Sequence, residues 1–444
     1  MEKTLLSVRD RLETSYWFIP VILTLLGIGV AFMLLRLDER IFPSLVQQFG
    51  IDAFISPSSA ITLLNTIAAS MATIVGTVFS ITLVVLTLAS QQYGPLIVNN
   101  FIRGRSSQLA LGTFLGTFIY CIFALQSMHA EASGQYTFIP VLSIYFALFL
   151  AVLCVIVLIF YIHQVAVSIR PTSIIGRISA LLLNSIELIY PLEMGEESPV
   201  SPMSDADQAL ISQFEKQAAT LYATGSGYID FILDDDLMDV AKTYEVTLEL
   251  TYRPGAFITE GGIIGRVYPP EKFTPELNDE VNRVLVLSPH RTPVQDVELL
   301  FSQLVAVAIR ALSPAINDPF TASTCIDRLG QALSYLSQRH IPSRYRYDHE
   351  GHLRVITNPI TFDGMLHLAF DQIRHYGGGD LVIVRRLLDT IRVMGEIMHG
   401  MEDQQTLEAY ASLIWTEARV RHPTDYARQT IDQAYQAACA TLKD

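Results

Sequence analysis

Apolar residues are unevenly distributed along the 444-residue chain. They gather into runs at about 16–35, 59–89, 109–128 and 138–162. Each run is long enough for a helix that crosses a hydrocarbon core, which needs about 20 residues. The first, behind Lys3, Arg9 and Arg11, lacks a small-residue cleavage site and reads as a retained span, not a leader. Tyr16, Trp17, Phe18 and Tyr161 sit where interfacial aromatics belong.

The second run, "SSAITLLNTIAASMATIVGTVFSITLVVLTLAS", has two faces. At helical spacing, Thr62, Asn65, Ala69, Ala72, Thr73, Gly76, Ser80, Thr87 and Ser90 share one arc, interrupted by Leu83. Leu64, Ile67, Met71, Ile74, Val75, Val78, Val85 and Leu88 fall opposite, with Thr82 out of place. Two readings fit the stripe. Small residues admit a neighbouring helix, and hydroxyls bond backbone carbonyls. Alternatively, Asn65, Ala69, Thr73, Gly76, Ser80 and Thr87 line a water-filled path around an oligomer axis. A helix over 59–89 would extend about 46 Å, against about 30 Å of hydrocarbon, so it tilts, bends near Gly76 or protrudes. The third run carries Gly112 and Gly116 in GxxxG spacing, which suits close helix contact. The fourth is apolar all round. No Asp, Glu, Lys or Arg lies inside the four runs, which counts against an ion-coupled transporter.

Beyond the fourth run the periodicity changes. "RPTSIIGRISALLLNSIELIYPL" reads as an amphipathic helix, and "EMGEESPVSPMSDAD" as an acidic linker. In "YEVTLELTY", Val246, Leu248, Leu250 and Tyr252 alternate toward one buried strand face. "RPG" offers Pro then Gly for a type II turn, and "AFITEGGIIGRVY" reads as returning strands broken at Gly261 and Gly262. Together these resemble the hairpins of lipoyl and biotinyl carrier domains and of efflux adaptors. Arg253 to Val267 holds no carrier lysine, so the resemblance implies a small β-sandwich only.

"RTPVQDVELLFSQLVAVAIRAL" presents a capping box of Thr292, Pro293 and Gln295, then Val294, Val297, Phe301, Leu304, Val305, Ala308 and Leu312 at helical spacing. "LSPAINDP" then stops one helix at Ser313-Pro314 and restarts another with Asp318 as N-cap and Pro319 behind it. Ala322, Ile326, Leu329 and Leu333 make the buried face of that second helix. The same turn could instead offer Ser313, Asn317, Asp318 and Thr321 to a polar ligand. His367, Asp371 and His375 share a helix face; a solvated face explains them better than a metal site, as do Asp348, His349 and His352 in a polar hairpin-like loop. "HYGGGD" ends a helix, with Gly377 to Gly379 permitting positive φ and Asp380 capping the next; no GK[ST] follows, so it is no phosphate loop.

Charge sharpens the division. Up to Arg170 the chain has 8 basic and 7 acidic residues; beyond it, 22 and 37. An acidic soluble half argues against nucleic acid as a partner. Arg9 and Arg11, then Arg103 and Arg105, then Arg170 and Arg177 mark one side of the bilayer; Glu131 alone marks the other, and the first loop is mixed. The positive-inside rule then places both termini in the cytoplasm. The four cysteines are scattered, without CxxC, which suits a reducing compartment.

"ALSPAINDPFTA", with "RTPVQD", "FSITLV", "QQYGPLIVNNF" and "AFDQIRHYGGG", closely resembles a family of predicted bacterial inner-membrane proteins of unknown function. The resemblance covers nearly the whole chain and implies four spans with a cytoplasmic domain. It departs after the loop proline, where Leu96 and Asn99 stand in place of basic residues.

The expected architecture is therefore an α-helical membrane domain of four transmembrane helices at 1–170 joined to a cytoplasmic α+β domain, the latter made of an amphipathic helix and linker at 171–225, a small β-sandwich-like subdomain at 226–290 and a helical domain at 291–444. Membrane lipid and further copies of the chain are the expected partners. No catalytic constellation, cofactor or metal site is read. The expected function is a homo-oligomeric channel-like protein of the inner membrane. The other reading is a non-conducting sensor or scaffold whose cytoplasmic domain binds a ligand or protein.

Overall fold

The computed structural model describes residues 17–40, 56–93, 105–128, 139–168, 170–190, 205–339, 341–398 and 400–442. The chain forms two units, 1–173 and 174–444.

The first unit holds helices α1 (Phe18–Arg40), α2 (Pro57–Tyr93), α3 (Arg105–Gln126) and α4 (Val141–Ser168). The third helix is the hub and packs against the other three, while α1 and α2 do not share a substantial contact. The GxxxG pair supplies the reason. A Cβ on Gly27 of α1 would lie 2.8 Å from the Gly116 carbonyl oxygen, and one on Gly116 would lie 3.0 Å from the Leu23 carbonyl oxygen. A Cβ on Gly112 would reach to 3.0 Å from the Pro20 Cα. Only glycine lets the two backbones meet this closely. Phe114, Tyr120, Cys121 and Ala124 then fill the interior of the bundle.

Two polar features tie the ends together. Asp38, 2% exposed near the end of α1, accepts from the backbone N–H groups of Leu142 (2.8 Å) and Ser143 (2.9 Å) and from the Ser143 hydroxyl (2.6 Å). It thus caps the first turn of α4, where exposed N–H groups and the helix dipole favour an anion. The sequence placed Asp38 in a mixed loop; it is instead a buried carboxylate inside the bundle. Tyr161, expected as an interfacial aromatic, also turns into the bundle. It is buried, with its hydroxyl 2.8 Å from the Thr82 hydroxyl and donating to the Val78 carbonyl at 3.1 Å.

Helix α5 (Pro171–Ile189) buries Ile174, Ile175, Ile178, Leu182 and Ile186 along one face, as its amphipathic pattern predicts. By length and composition it is a fifth helix apolar enough to cross a membrane, where the sequence reading counted four.

After α6 (Asp205–Gln217), the second unit builds two sheets. The strands are β1 (Ala219–Tyr222), β2 (Gly227–Ile232), β3 (Thr247–Leu250), β4 (Phe257–Ile258), β5 (Ile263–Tyr268), β6 (Leu285–Ser288), β7 (Tyr345–Tyr347) and β8 (Leu353–Ile356). One sheet runs β1-β5-β3-β8-β7 and the other β4-β2-β6. Their apolar faces share a core with α7 (Asp234–Thr243) and α8 (Pro275–Val284). The "RPG" turn forms as read: Gly255 has φ +89 and the Ala256 N–H bonds the Arg253 carbonyl at 3.2 Å. Val246, Leu248 and Leu250 are buried, whereas Tyr252 is exposed. The first sheet draws strands from both sides of residue 290, since β8 pairs in parallel with β3 in the register Leu248 to Val355.

Helices α9 (Val297–Ala311), α10 (Pro319–Ser337), α11 (Phe362–Gly377), α12 (Leu381–Ile397), α13 (Met401–Arg421) and α14 (Asp425–Thr441) complete the unit. Thr361, Asp380 and Thr424 cap α11, α12 and α14 through their side chains. The "HYGGGD" stop needs no left-handed residue: Gly378 has φ −66. Gly377 serves packing, since a Cβ there would lie 2.6 Å from Ile383 Cγ2.

The glycine contact yields a paired test. Gly27→Ala should lower the stability of the purified protein by about 1–3 kcal/mol, the usual cost of overpacking. Gly29→Ala, two residues along the same helix, meets nothing within 4 Å and should be neutral or slightly stabilising. Thermal melting in one detergent compares them; equal melting temperatures would refute the close approach.

Candidate functional site

Helix α2 turns its apolar face inward. Leu64, Ile67, Met71 and Val78 are buried in the four-helix core, and Ile74 and Val75 pack against it. The six stripe residues Asn65, Ala69, Thr73, Gly76, Ser80 and Thr87 are all exposed on the protomer, as are Thr62 and Ala72. A Cβ on Gly76 would meet nothing within 4 Å, so no neighbour inside the protomer requires that glycine. The stripe is also wider than the sequence reading drew it, since Thr66, Ser70 and Thr77 are exposed beside it. They were missed because the arc was centred on Asn65 and Gly76. The helix is unbroken over 37 residues, about 55 Å at 1.5 Å per residue. From Phe79 onward the outer face is mixed, with Ile81, Leu83, Val84 and Leu88 exposed around Ser80 and Thr87. The side chain of Ser90, and the loop bearing Leu96 and Asn99, lie outside the described residues.

The hydroxyls of this face bond their own helix, except that of Ser80, which makes no hydrogen bond among the described residues. Thr62 donates to the Ser58 carbonyl (2.8 Å), Thr66 to Thr62 (2.6 Å), Ser70 to Thr66 (2.7 Å), Thr73 to Ala69 (3.0 Å), Thr77 to Thr73 (3.0 Å) and Thr87 to Leu83 (2.9 Å). Each hydroxyl thereby places its one donor and keeps acceptor capacity facing outward. Asn65 differs. Its side-chain amide makes no hydrogen bond among the described residues.

In the second unit the family-like motifs are structural joints. Asp318 is the N-cap of α10, accepting from the N–H groups of Phe320 (3.2 Å) and Thr321 (3.0 Å) and from the Thr321 hydroxyl (2.6 Å). The Thr321 bonds hold its carboxyl below the usual carboxylate range. Asn317 adopts φ +49, and its N–H, like that of Ile316, bonds the Ser313 carbonyl. Asn tolerates this left-handed geometry better than most residues. Ser313, Asn317, Asp318 and Thr321 are thus together in one turn, engaged with its backbone. At the tip, Ile316 and Phe320 are 50% and 76% exposed.

"RTPVQD" folds otherwise than expected. Thr292 is not an N-cap: it donates to Asp230. Gln295 accepts from the Ile232 N–H (2.9 Å) and donates to the Ile232 carbonyl (3.2 Å), docking on the end of β2. The cap of α9 is Asp296, which accepts from the Leu299 N–H at 3.0 Å. Arg291 grips the same carboxylate with two bonds of 2.7 and 2.9 Å. Burial pushes the Asp296 carboxyl up even though Arg291 opposes this. A Cβ on Gly255 would lie 2.2 Å from Asp296 Oδ2, so the "RPG" turn is seated on this carboxylate. Val294, expected in the buried stripe, is exposed.

His367 and Asp371 do pair, at 3.0 Å, but Asp371 also accepts from Tyr410 and Arg374, and His375 does not join them. Asp348, Glu350 and His352 approach one another in the β7–β8 hairpin. There Asp348 is already occupied by the Glu350 and His352 N–H groups and by Arg354.

The two aspartate caps should differ in weight. Asp318→Ala removes an exposed cap and should cost about 1 kcal/mol. Asp296→Ala strands Arg291 and should cost about 3 kcal/mol, the low end for a broken buried pair, because Arg291 keeps some water. Since the folded Asp318 carboxyl is depressed, its contribution holds at neutral pH and fades as pH falls through its folded value. Denaturant melts at pH 7 and near pH 3 measure both; equal costs at pH 7 would contradict the assignment.

Comparison with known proteins places these features. A family model described as "Predicted membrane protein (DUF2254)" matches residues 13–393. Uncharacterized proteins of Mycobacterium bovis and Mycobacterium tuberculosis are similar, each 27% identical over 398 residues, covering 88% of this chain and 73% of theirs. No solved structure matches.

Proposed function

The chain belongs to the DUF2254 family of predicted membrane proteins, and on that footing we propose a homo-oligomeric channel-like protein of the inner membrane. Copies of α2 face one another, and Asn65, Ala69, Thr73, Gly76, Ser80 and Thr87 line a water-filled path. The observation that carries the reading is the outward stripe with an unpartnered amide. In hydrocarbon a polar group without a partner costs several kcal/mol. Asn65 therefore calls for water or for a polar group of another copy, and an axis between copies provides either.

In this reading four helices span and α5 does not. Its mean hydropathy of 1.4 is the lowest of the five candidates, against 1.8 to 3.0 for the rest. It carries Arg177 and Glu187, and its buried apolar residues lie on one face. Four spans keep both termini on the cytoplasmic side, as the arginine distribution favours. No enzymatic step enters the reading.

The runner-up, a non-conducting sensor or scaffold, is favoured by the second unit. Ile316 and Phe320 project from the "SPAINDPF" turn as an exposed apolar tip suited to a protein partner. Ion flux in reconstituted vesicles separates the two readings.

Single cysteines test the path. Cys121, Cys154 and Cys325 are buried, so replacing Cys439 gives a quiet background. In membranes, cysteines at Asn65, Thr73 and Ser80 should react with charged thiol reagents, while those at Ile67 and Ile74 should not. Cross-linking at Thr73 should yield dimers. Equal protection of both sets, or a monomer in mild detergent, would overturn the channel reading.

A further inference from the structure

A concavity of about 460 Å³ opens in the second unit, within the roughly 300–1,000 Å³ range of small-molecule sites. Leu188, Leu250, Val294, Pro342 and Ile360 supply apolar wall. The charged groups beside them divide into two kinds. Arg253 is paired with Glu298, and Asp296 with Arg291, so these four are spent on structure. Arg346 of β7, Asp234 of α7 and Tyr190, which follows α5, are not. Among the described residues, none of their side chains makes a hydrogen bond or an ion pair.

Asp234 and Arg346 nevertheless feel each other. Burial pulls the Arg346 guanidinium down and pushes the Asp234 carboxyl up, and in each case the other charge opposes the shift. The two are near enough to interact and too far apart to bond. Asp234 retains exposed surface although many atoms surround it, as expected at the mouth of a cleft. A lone anion brought to Arg346 would be repelled by Asp234, and a lone cation brought to Asp234 would be repelled by Arg346. A molecule carrying an ammonium and a carboxylate on one carbon satisfies both.

We propose that this concavity binds a small zwitterion with an apolar side chain, the chemistry of an apolar α-amino acid. Its carboxylate bonds Arg346, its ammonium bonds Asp234, and its side chain lies against Leu188, Val294 and Ile360. Two charge-assisted bonds in a partly desolvated cleft make this pair selective against ligands that lack either charge.

The test uses the full-length protein in detergent and isothermal titration with phenylalanine. The comparators are 3-phenylpropionate, which lacks the ammonium, and phenethylamine, which lacks the carboxylate. Phenylalanine should bind saturably, and each comparator at least tenfold more weakly. Asp234→Asn and Arg346→Gln should each weaken phenylalanine at least tenfold with the unliganded melting temperature unchanged. Asp234 is on the surface, so its variant keeps the test open should Arg346→Gln fail to fold. No saturable binding of phenylalanine or leucine would overturn the proposal. So would 3-phenylpropionate binding as tightly as phenylalanine. Binding is read without flux, so its failure leaves the channel reading untouched, and the converse holds.

Discussion

The backbone contact of α1 with α3 at Gly27, Gly112 and Gly116 organises the first unit. With no side chain between them, α1 lies directly on α3, and α3 retains room on its other sides for α2 and α4. Helix α2 therefore contacts the bundle through one face, the one that carries Leu64, Met71 and Val78. A bundle with α2 at its centre would bury both faces of that helix. This one cannot, and the small and hydroxyl-bearing face points away from the protomer as a consequence.

The interior of the unit also shows how polar atoms are handled where water is scarce. Asp38 meets three donors at the start of α4, and the Tyr161 and Thr82 hydroxyls meet each other and the Val78 carbonyl. A buried charge survives only with such compensation. The same rule applies along α2, where the Thr hydroxyls and that of Ser70 return their protons to carbonyls four residues back. Such a ladder tolerates lipid, a packed helix or water, so the hydroxyls alone do not choose among them. Asn65 disfavours lipid alone, because its amide has two donors that a helix of its own residues leaves unplaced.

Local signals in the sequence translated well wherever no distant segment competed. The alternation at Val246, Leu248 and Leu250, the "RPG" turn, the caps at Asp318 and Asp380 and the buried faces of α9 and α10 all follow from neighbours within a few residues. "RTPVQD" shows where this stops. Thr292 and Gln295 satisfy the local spacing of a capping box, and Asp296 one residue later satisfies an N-cap equally well. Contacts with Asp230 and Ile232, some sixty residues earlier, decide between them. Val294 lost its place in the buried stripe for the same reason: the helix begins four residues later than the box implied. The parallel pairing of β3 with β8 is similarly non-local, and nothing in either short strand announces the other. Tyr161 misled because an aromatic near the end of an apolar run satisfies the pattern of an interfacial anchor and of a buried hydroxyl alike.

The stripe's lack of charge constrains what a wet path along α2 could do. A coupled transporter needs a group at membrane depth that takes and releases a proton or ion. Asp38 is a buried carboxylate, but its oxygens are occupied by the cap of α4, and it lies at the end of α1 rather than on α2. The stripe itself offers hydroxyl and carbonyl oxygens and one amide, groups that in the proposed channel would hydrate a permeant species without binding it tightly. Weak multi-site contact of this kind suits passive conduction, where entry must be favourable and exit still easy. Any regulation then has to come from a domain able to hold a ligand in two states with different affinity, since a ligand shifts an equilibrium only by that difference. The second unit, with opposed charges left unjoined beside an apolar wall, has the chemistry for that role, and the stripe does not.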